Sequence, residues 1–215
     1  MITFNGINFR DLELAELFDN ATRGMKQEEL SNIDNLIKIV NDSVSLEEPN
    51  FRYVSANLLL HKIKREFKET VGELSLYQYI QMMVKEKQYT NKLLEEYSES
   101  EINDIEKFID EKYNYDYDYA GMNLLYKRYL TRSKQNKVME TPEVMYIVIA
   151  MMLAIPEKRC DRINKIEKFY KSTHSRKISL ATPILLNLRK INGSLSSCFI
   201  ASVSDSLLSI NHVIN

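Results

Sequence analysis

Residues 144–155 form a run of twelve apolar residues, opened by Thr141–Pro142–Glu143 and closed by Pro156, and this run constrains the chain more than any other feature. A helix that is apolar on every side cannot lie on a surface, and a bilayer span needs about 20 such residues. The run therefore predicts a buried helix rather than a membrane segment. With Gly 5 and Pro 4 among 215 residues, turn formers are scarce, so long elements and a mostly helical chain are expected. Lys+Arg 29 against Asp+Glu 30 leaves a net charge of −1, without the basic excess that nucleic acid or an acidic membrane would attract. A chain that is 44% hydrophobic and 27% charged is globular rather than disordered, and its length suits one large domain or two small ones.

Apolar residues at three- and four-residue steps place the other helices. Residues 10–20 carry Leu12, Leu14, Leu17 and Phe18, and residues 27–44 carry Leu30, Ile33, Leu36, Ile37 and Val40. Pro49 opens a helix over 50–69 with a core face of Tyr53, Val54, Ala56, Leu60, Ile63 and Phe67. Further helices are expected at 75–86, 90–96, 100–112 (capped by Ser98 or Ser100), 120–130 and 160–176. The alternating stretch YNYDYDY, 113–119, fits a short strand, an aromatic contact surface, or tyrosines packed on neighbouring helices. After 177 the texture changes: serines crowd the segment, LSSCFIASV (195–203) reads as a buried strand, and Asp205–Ser206 could cap a terminal helix.

Chemistry has few places to sit. The two cysteines, Cys160 and Cys198, exclude a disulfide scaffold and a four-cysteine zinc site, and nothing in their spacing brings them together. A strand's period of two puts Ser196 and Cys198 on one face and Ser197 on the other. A cysteine so placed is commonly a small buried hydrophobe. His61, His174 and His212 are isolated, without metal spacing, and receive no catalytic role. No phosphate-binding glycine motif or nucleophile elbow occurs. The amino terminus has acids within its apolar stretch and is not a secretory signal, so a reducing cytosol is expected.

Several segments nevertheless occur in a recognisable order. ATPILLNLRKINGSLSSCFIASVSDSLLSIN (181–211) resembles the start of the catalytic barrel of the class I ribonucleotide reductase large (alpha) subunit. EEPNFRYVSANLLLHKI (47–63), YDYAGMNLLYKRYL (117–130), METPEVMYIVIAMML (139–153) and FYKSTHSRKISLATP (169–183) are similar to its preceding signatures. The resemblance spans about residues 26–211 and implies a mainly α chain, with a helical N-terminal domain followed by the first strand of the family's ten-stranded α/β barrel. It divides the chain into a short extension at 1–25 without the ATP cone, the helical domain at 26–176, and an incomplete barrel start at 177–215.

The resemblance also implies roles. Cys198 falls on the first of two redox-active cysteines that reduce the ribose. Thr182 and Ser197 match substrate-binding positions, near the phosphates and the nucleoside respectively. Asp205, Ser206 and Leu207 match the start of the site where a dNTP or ATP effector sets specificity. No cofactor bound by this chain is expected; a metal-radical cofactor is implied on a separate small (beta) subunit. The expected partners are a second polypeptide completing the alpha barrel, the radical-generating beta subunit, a ribonucleotide substrate and a thioredoxin- or glutaredoxin-type reductant, with no nucleic acid and no membrane. The chain is expected to be the N-terminal piece of a split catalytic subunit, inactive alone, working in the cytoplasm of its cell or, as a phage product, of its host. The alternatives are a non-catalytic protein modulating an intact reductase, a cobalamin-dependent reductase of the same barrel superfamily, and a piece cut from a longer chain.

Overall fold

The apolar run forms α9, Pro142–Ala154, with Pro142 in the first turn, where its missing N–H costs nothing. Met145, Ile147, Val148, Ile149, Met151 and Ala154 are all buried, so α9 is enclosed on every side as expected. The computed structural model describes residues 1–4, 6–198 and 200–214, apart from the side chains of 27 and 28.

An antiparallel hairpin, β1 (Ile2–Phe4) and β2 (Ile7–Phe9), precedes the helices, with Ile2 opposite Phe9 and Gly6 in the left-handed region at φ 76°. The hairpin is held to α1 (Leu12–Thr22) by aromatic packing of Phe18 against Phe9, with ring centres 5.3 Å apart. The stripe over 27–44 divides into α2 (Gln27–Ser31) and α3 (Ile33–Asp42). Asn32 makes the break by accepting from the N–H groups of Asp34 and Asn35, which caps α3 and excludes a continuous helix.

The long helix α4 (Phe51–Val71) buries Val54, Ala56, Leu60 and Ile63 of its expected face, and packs along α3. α5 (Leu76–Lys85) and α7 (Glu99–Glu106) each start with a reciprocal capping box, Ser75 with Gln78 and Ser98 with Glu101; the short α6 (Lys92–Glu96) lies between them. Residues 111–116 form a 3-10 turn, which overturns the strand reading of YNYDYDY. Tyr115 and Tyr117 are instead buried against the helices. Next come α8 (Tyr119–Leu124) and a π-turn (Leu125–Tyr129), α9, and α10 (Arg159–His174) packed along α9. Arg162 ties three of these helices together: it donates to Ile155 O (2.6 Å) at the end of α9 and to Glu96 Oε2 (3.1 Å) at the end of α6.

The chain continues through α11 (Thr182–Asn187) and ends in α12 (Leu207–Ile214). Ser206 provides the α12 cap, its hydroxyl accepting from Ser209 N at 3.2 Å. The buried strand expected over 195–203, the first of the barrel, is not found among the described residues. Those residues pair with no strand, and they are exposed, Ile200 at 99% and Leu195 at 50%. A strand exists by pairing, and no neighbouring strand here offers N–H and C=O groups to this stretch. Phe199 lies outside the described residues. Among the described residues the only paired strands are β1 and β2, and no helix is long and apolar enough to cross a membrane.

Candidate functional site

Thr182 opens α11 half-buried, and its Oγ1 lies 3.1 Å from the hydroxyl of Tyr129. Tyr129 ends the π-turn, whose extra residue alters the direction of the side chains that follow; such turns recur at functional sites. Beside this contact is a cavity of about 380 Å³, lined among others by Tyr117, Tyr129, Tyr146, Arg176, Thr182 and Leu185. The Tyr117 and Tyr146 hydroxyls meet at 2.9 Å, and the Arg176 guanidinium sits 4.4 Å over the Tyr117 ring. The wall therefore combines hydroxyls and one cation with apolar surface, a mixture that can take up a polar ligand with an apolar body. A larger cavity of about 610 Å³ elsewhere is lined by Lys64, Lys68, Glu111, Glu143 and others, but none of the residues nominated from sequence reaches it. Its lysines are already matched, Lys64 with Glu111 and Lys68 with Glu73.

Behind Thr182 lies a fully buried ion pair that the sequence did not single out. Arg189 donates from Nε to Glu140 Oε1 (2.7 Å) and from Nη2 to Glu140 Oε2 (2.6 Å), and both side chains are 0% exposed. The remaining lone pairs of Glu140 are used as well: Thr131 N donates to Oε2 (2.9 Å) and the Tyr89 hydroxyl to Oε1. Tyr79 contacts Tyr89 and donates to Met139 O at 2.9 Å. Burial, reinforced by the Glu140 charge, pushes the Tyr79 and Tyr89 hydroxyls well above their ordinary pKa. Burial opposes the charge on Arg189, but Glu140 more than offsets it, so the guanidinium stays a cation. Arg189 is also bound through its main chain, its carbonyl accepting from Thr90 N at 2.9 Å. Nothing in one sequence links residues 49 apart, so neither Glu140 nor Arg189 stands out there.

The second buried array centres on His174, which is 0% exposed. Its Nδ1 lies 3.0 Å from the Tyr170 hydroxyl and its Nε2 lies 2.7 Å from Asn114 Oδ1, while Asn114 Nδ2 donates to Glu143 Oε2 at 2.6 Å. The Tyr146 ring stacks on the imidazole at 5.0 Å. Burial first, and the nearby Arg176 second, lower the His174 pKa to about 3, while burial holds Glu143 above the usual carboxylate range. These groups face one another inside the fold and form a structural network.

The other nominated residues lie on the exposed C-terminal segment. Cys198 is a free, exposed thiol with Ser197 Oγ 3.8 Å from its sulfur. Asp205, Ser206 and Leu207 are exposed, Leu207 at 87%. The structure thus brings Ser197 to Cys198, while Thr182 lies apart with Tyr129, and no hydrogen bond joins the two groups among the described residues. Cys160 is exposed near the start of α10, also as a free thiol. No group of three or more His, Cys, Asp or Glu among the described residues could hold a metal ion.

An enclosed central helix, helical layers around it and a buried polar clamp at 140/189 define an all-α domain. Residues 115–193 match the family model described as "Ribonucleotide reductase, all-alpha domain". Over 201 residues the chain is 31% identical to the ribonucleoside-diphosphate reductase subunit alpha of Enterobacteria phage T4, covering 91% of this chain and 26% of that protein. It is 38% identical over 183 residues to the subunit alpha of Synechocystis sp. (82% and 22%), and 30% identical over 179 residues to the 1 subunit alpha of Escherichia coli K12 (83% and 24%). The chain matches the N-terminal part of these ribonucleotide reductase alpha subunits and spans about a quarter of the length of these curated relatives.

Proposed function

We propose that this chain supplies the N-terminal part of the catalytic subunit of a ribonucleoside-diphosphate reductase, with the remainder of the barrel provided by a second polypeptide. The observation that carries this reading is the exposure of the segment holding Ser197 and Cys198. There Leu195, Ile200, Leu207, Leu208 and Ile214 stand 50% to 99% exposed, beyond a body whose apolar groups are largely enclosed. So many exposed apolar side chains are a liability unless something covers them, and a barrel paired onto residues 195–203 would cover them while giving that stretch strand partners.

In the completed assembly Thr182 and Ser197 bind the ribonucleotide, near its phosphates and its nucleoside respectively. The Cys198 thiol and a partner thiol from the completing barrel supply two electrons and two protons. The ribose 2′-hydroxyl leaves as water, a hydrogen takes its place, and the two sulfurs close to a disulfide that a thioredoxin- or glutaredoxin-type dithiol reopens. A radical delivered by the beta subunit starts the cycle, and a deoxynucleotide effector bound from Asp205, Ser206 and Leu207 selects the base.

Native mass spectrometry of the chain gently purified from its natural source tests the assembly. A co-purifying polypeptide carrying the rest of the barrel is the expected result; a chain running alone or with an intact reductase favours a regulator instead. In the assembled enzyme, Cys198→Ser abolishes multiple turnover with a dithiol reductant, and unchanged turnover would sink the Cys198 assignment.

A further inference from the structure

Resting on the nucleotide-binding role just proposed for Thr182, we infer that Arg189 is the residue that positions Thr182, acting through Tyr129. Tyr129 is gripped at both ends. Its carbonyl accepts from Arg189 Nη2 at 2.9 Å, and its hydroxyl meets Thr182 Oγ1 at 3.1 Å. The same guanidinium reaches back along α11 to Leu185 O, three residues from Thr182. Arg189 itself cannot shift, because Glu140 holds it through two hydrogen bonds in a site that admits no water. Its main chain is pinned to Thr90 as well.

A single cation thus fixes the start of α11 by two routes, one through the π-turn and one through the helix backbone. The planar fork matters here. Its Nε, Nη1 and Nη2 serve Glu140, Leu185 and Tyr129 at once, which a lysine ammonium on a flexible stem cannot reproduce. Arg189 touches neither the thiol nor the nucleotide site, so its effect is on where the Thr182 hydroxyl stands. A misplaced binding hydroxyl weakens substrate capture and leaves the thiol chemistry at Cys198 unchanged.

The test uses the completed assembly. Tyr129→Phe keeps the ring and the carbonyl that Arg189 holds, and removes only the hydroxyl facing Thr182. Its expected signature is a KM for the ribonucleotide raised about fivefold, the loss of one neutral hydrogen bond, with kcat nearly unchanged. Arg189→Lys shifts KM in the same direction. In the chain by itself, Arg189→Lys also quickens amide hydrogen exchange across α11 by about tenfold, and unchanged exchange overturns the positioning role. If Tyr129→Phe leaves KM alone while Thr182→Val raises it, the positioning inference falls and the nucleotide-site reading stands. If Thr182→Val is silent too, both fall together, because Thr182 then has no part in binding.

Discussion

Ile147 in α9 is 0% exposed and Leu208 in α12 is 86% exposed, although both are large aliphatic residues on helices of one chain. The helical body satisfies its groups internally: apolar side chains on α9 are enclosed, and even the charges of Glu140 and Arg189 find full sets of partners. The C-terminal arm satisfies little internally, its polar contacts being short-range ones such as Ser206 with Ser209 and Ser204 with Ser209. The difference teaches that the enclosed core and the proposed chemistry fall on different stretches. The body encloses its own apolar residues, while the arm, which carries Cys198, leaves Leu195, Ile200, Leu207 and Leu208 exposed.

That contrast can be broken most sharply at the buried ion pair. Arg189→Met leaves the Glu140 carboxylate desolvated and uncompensated, and is expected to cost about 3–5 kcal/mol in urea denaturation. Replacing both, Glu140→Leu with Arg189→Met, recovers only part of that loss: no bare charge remains, but Thr131 N, the Tyr89 hydroxyl and the Tyr129 carbonyl lose their partners. A single variant within about 0.5 kcal/mol of the native chain would show that the body does not depend on this clamp.

A pH titration sharpens the same comparison from inside the body. His174 has a folded pKa of about 3 against an ordinary 6.5, so the unfolded chain binds the extra proton between those values. Stability from this group is present in full above about pH 6.5 and falls as pH drops toward 3, with a slope approaching 1.4 kcal/mol per pH unit. Glu143 has the opposite sign, since its raised pKa makes ionisation costly as pH rises. Comparing the native chain with His174→Gln at each pH therefore isolates the histidine. The variant is expected to lose the acid-side slope, and a persisting slope would assign it elsewhere.

The smallest effect belongs to the arm. Leu208→Ser, at a residue already in water, is expected to change the stability of the isolated chain by less than about 0.5 kcal/mol. In the completed assembly the same change weakens association, which dilution followed by native mass spectrometry would register. A large loss in the isolated chain would mean that the arm packs on the body after all.

The parts of this fold visible in the sequence are those governed by local rules. The all-apolar run at 144–155 could only be enclosed, and the serine caps at Ser75 and Ser98 sit where Gln78 and Glu101 follow at the reciprocal spacing. Asn32 shows the limit of periodicity: the apolar stripe runs on through it, yet one side-chain amide oxygen ends α2 and starts α3. LSSCFIASV has strand composition, but pairing is a property of neighbours and not of the segment. Thr182 and Cys198 were nominated through the order of several motifs, whereas the contacts of Glu140, Arg189 and Tyr129 stayed hidden because they join distant stretches. The His174 network stayed hidden for the same reason, as Asn114 and His174 are 60 residues apart.

The clamp at Arg189 bears on how the molecule can be dissected. A fragment that stops after α10 would retain α9 and the helices before it, and would lose the partly buried leucines of α11 from the edge of the core. It would also leave the Glu140 carboxylate and the Tyr89 hydroxyl enclosed with no cation beside them, so the deletion would be felt at the far end of a gap of 49 residues. Shortened versions, fusions and tags therefore belong beyond residue 190, where the chain has already surrendered its last buried charge.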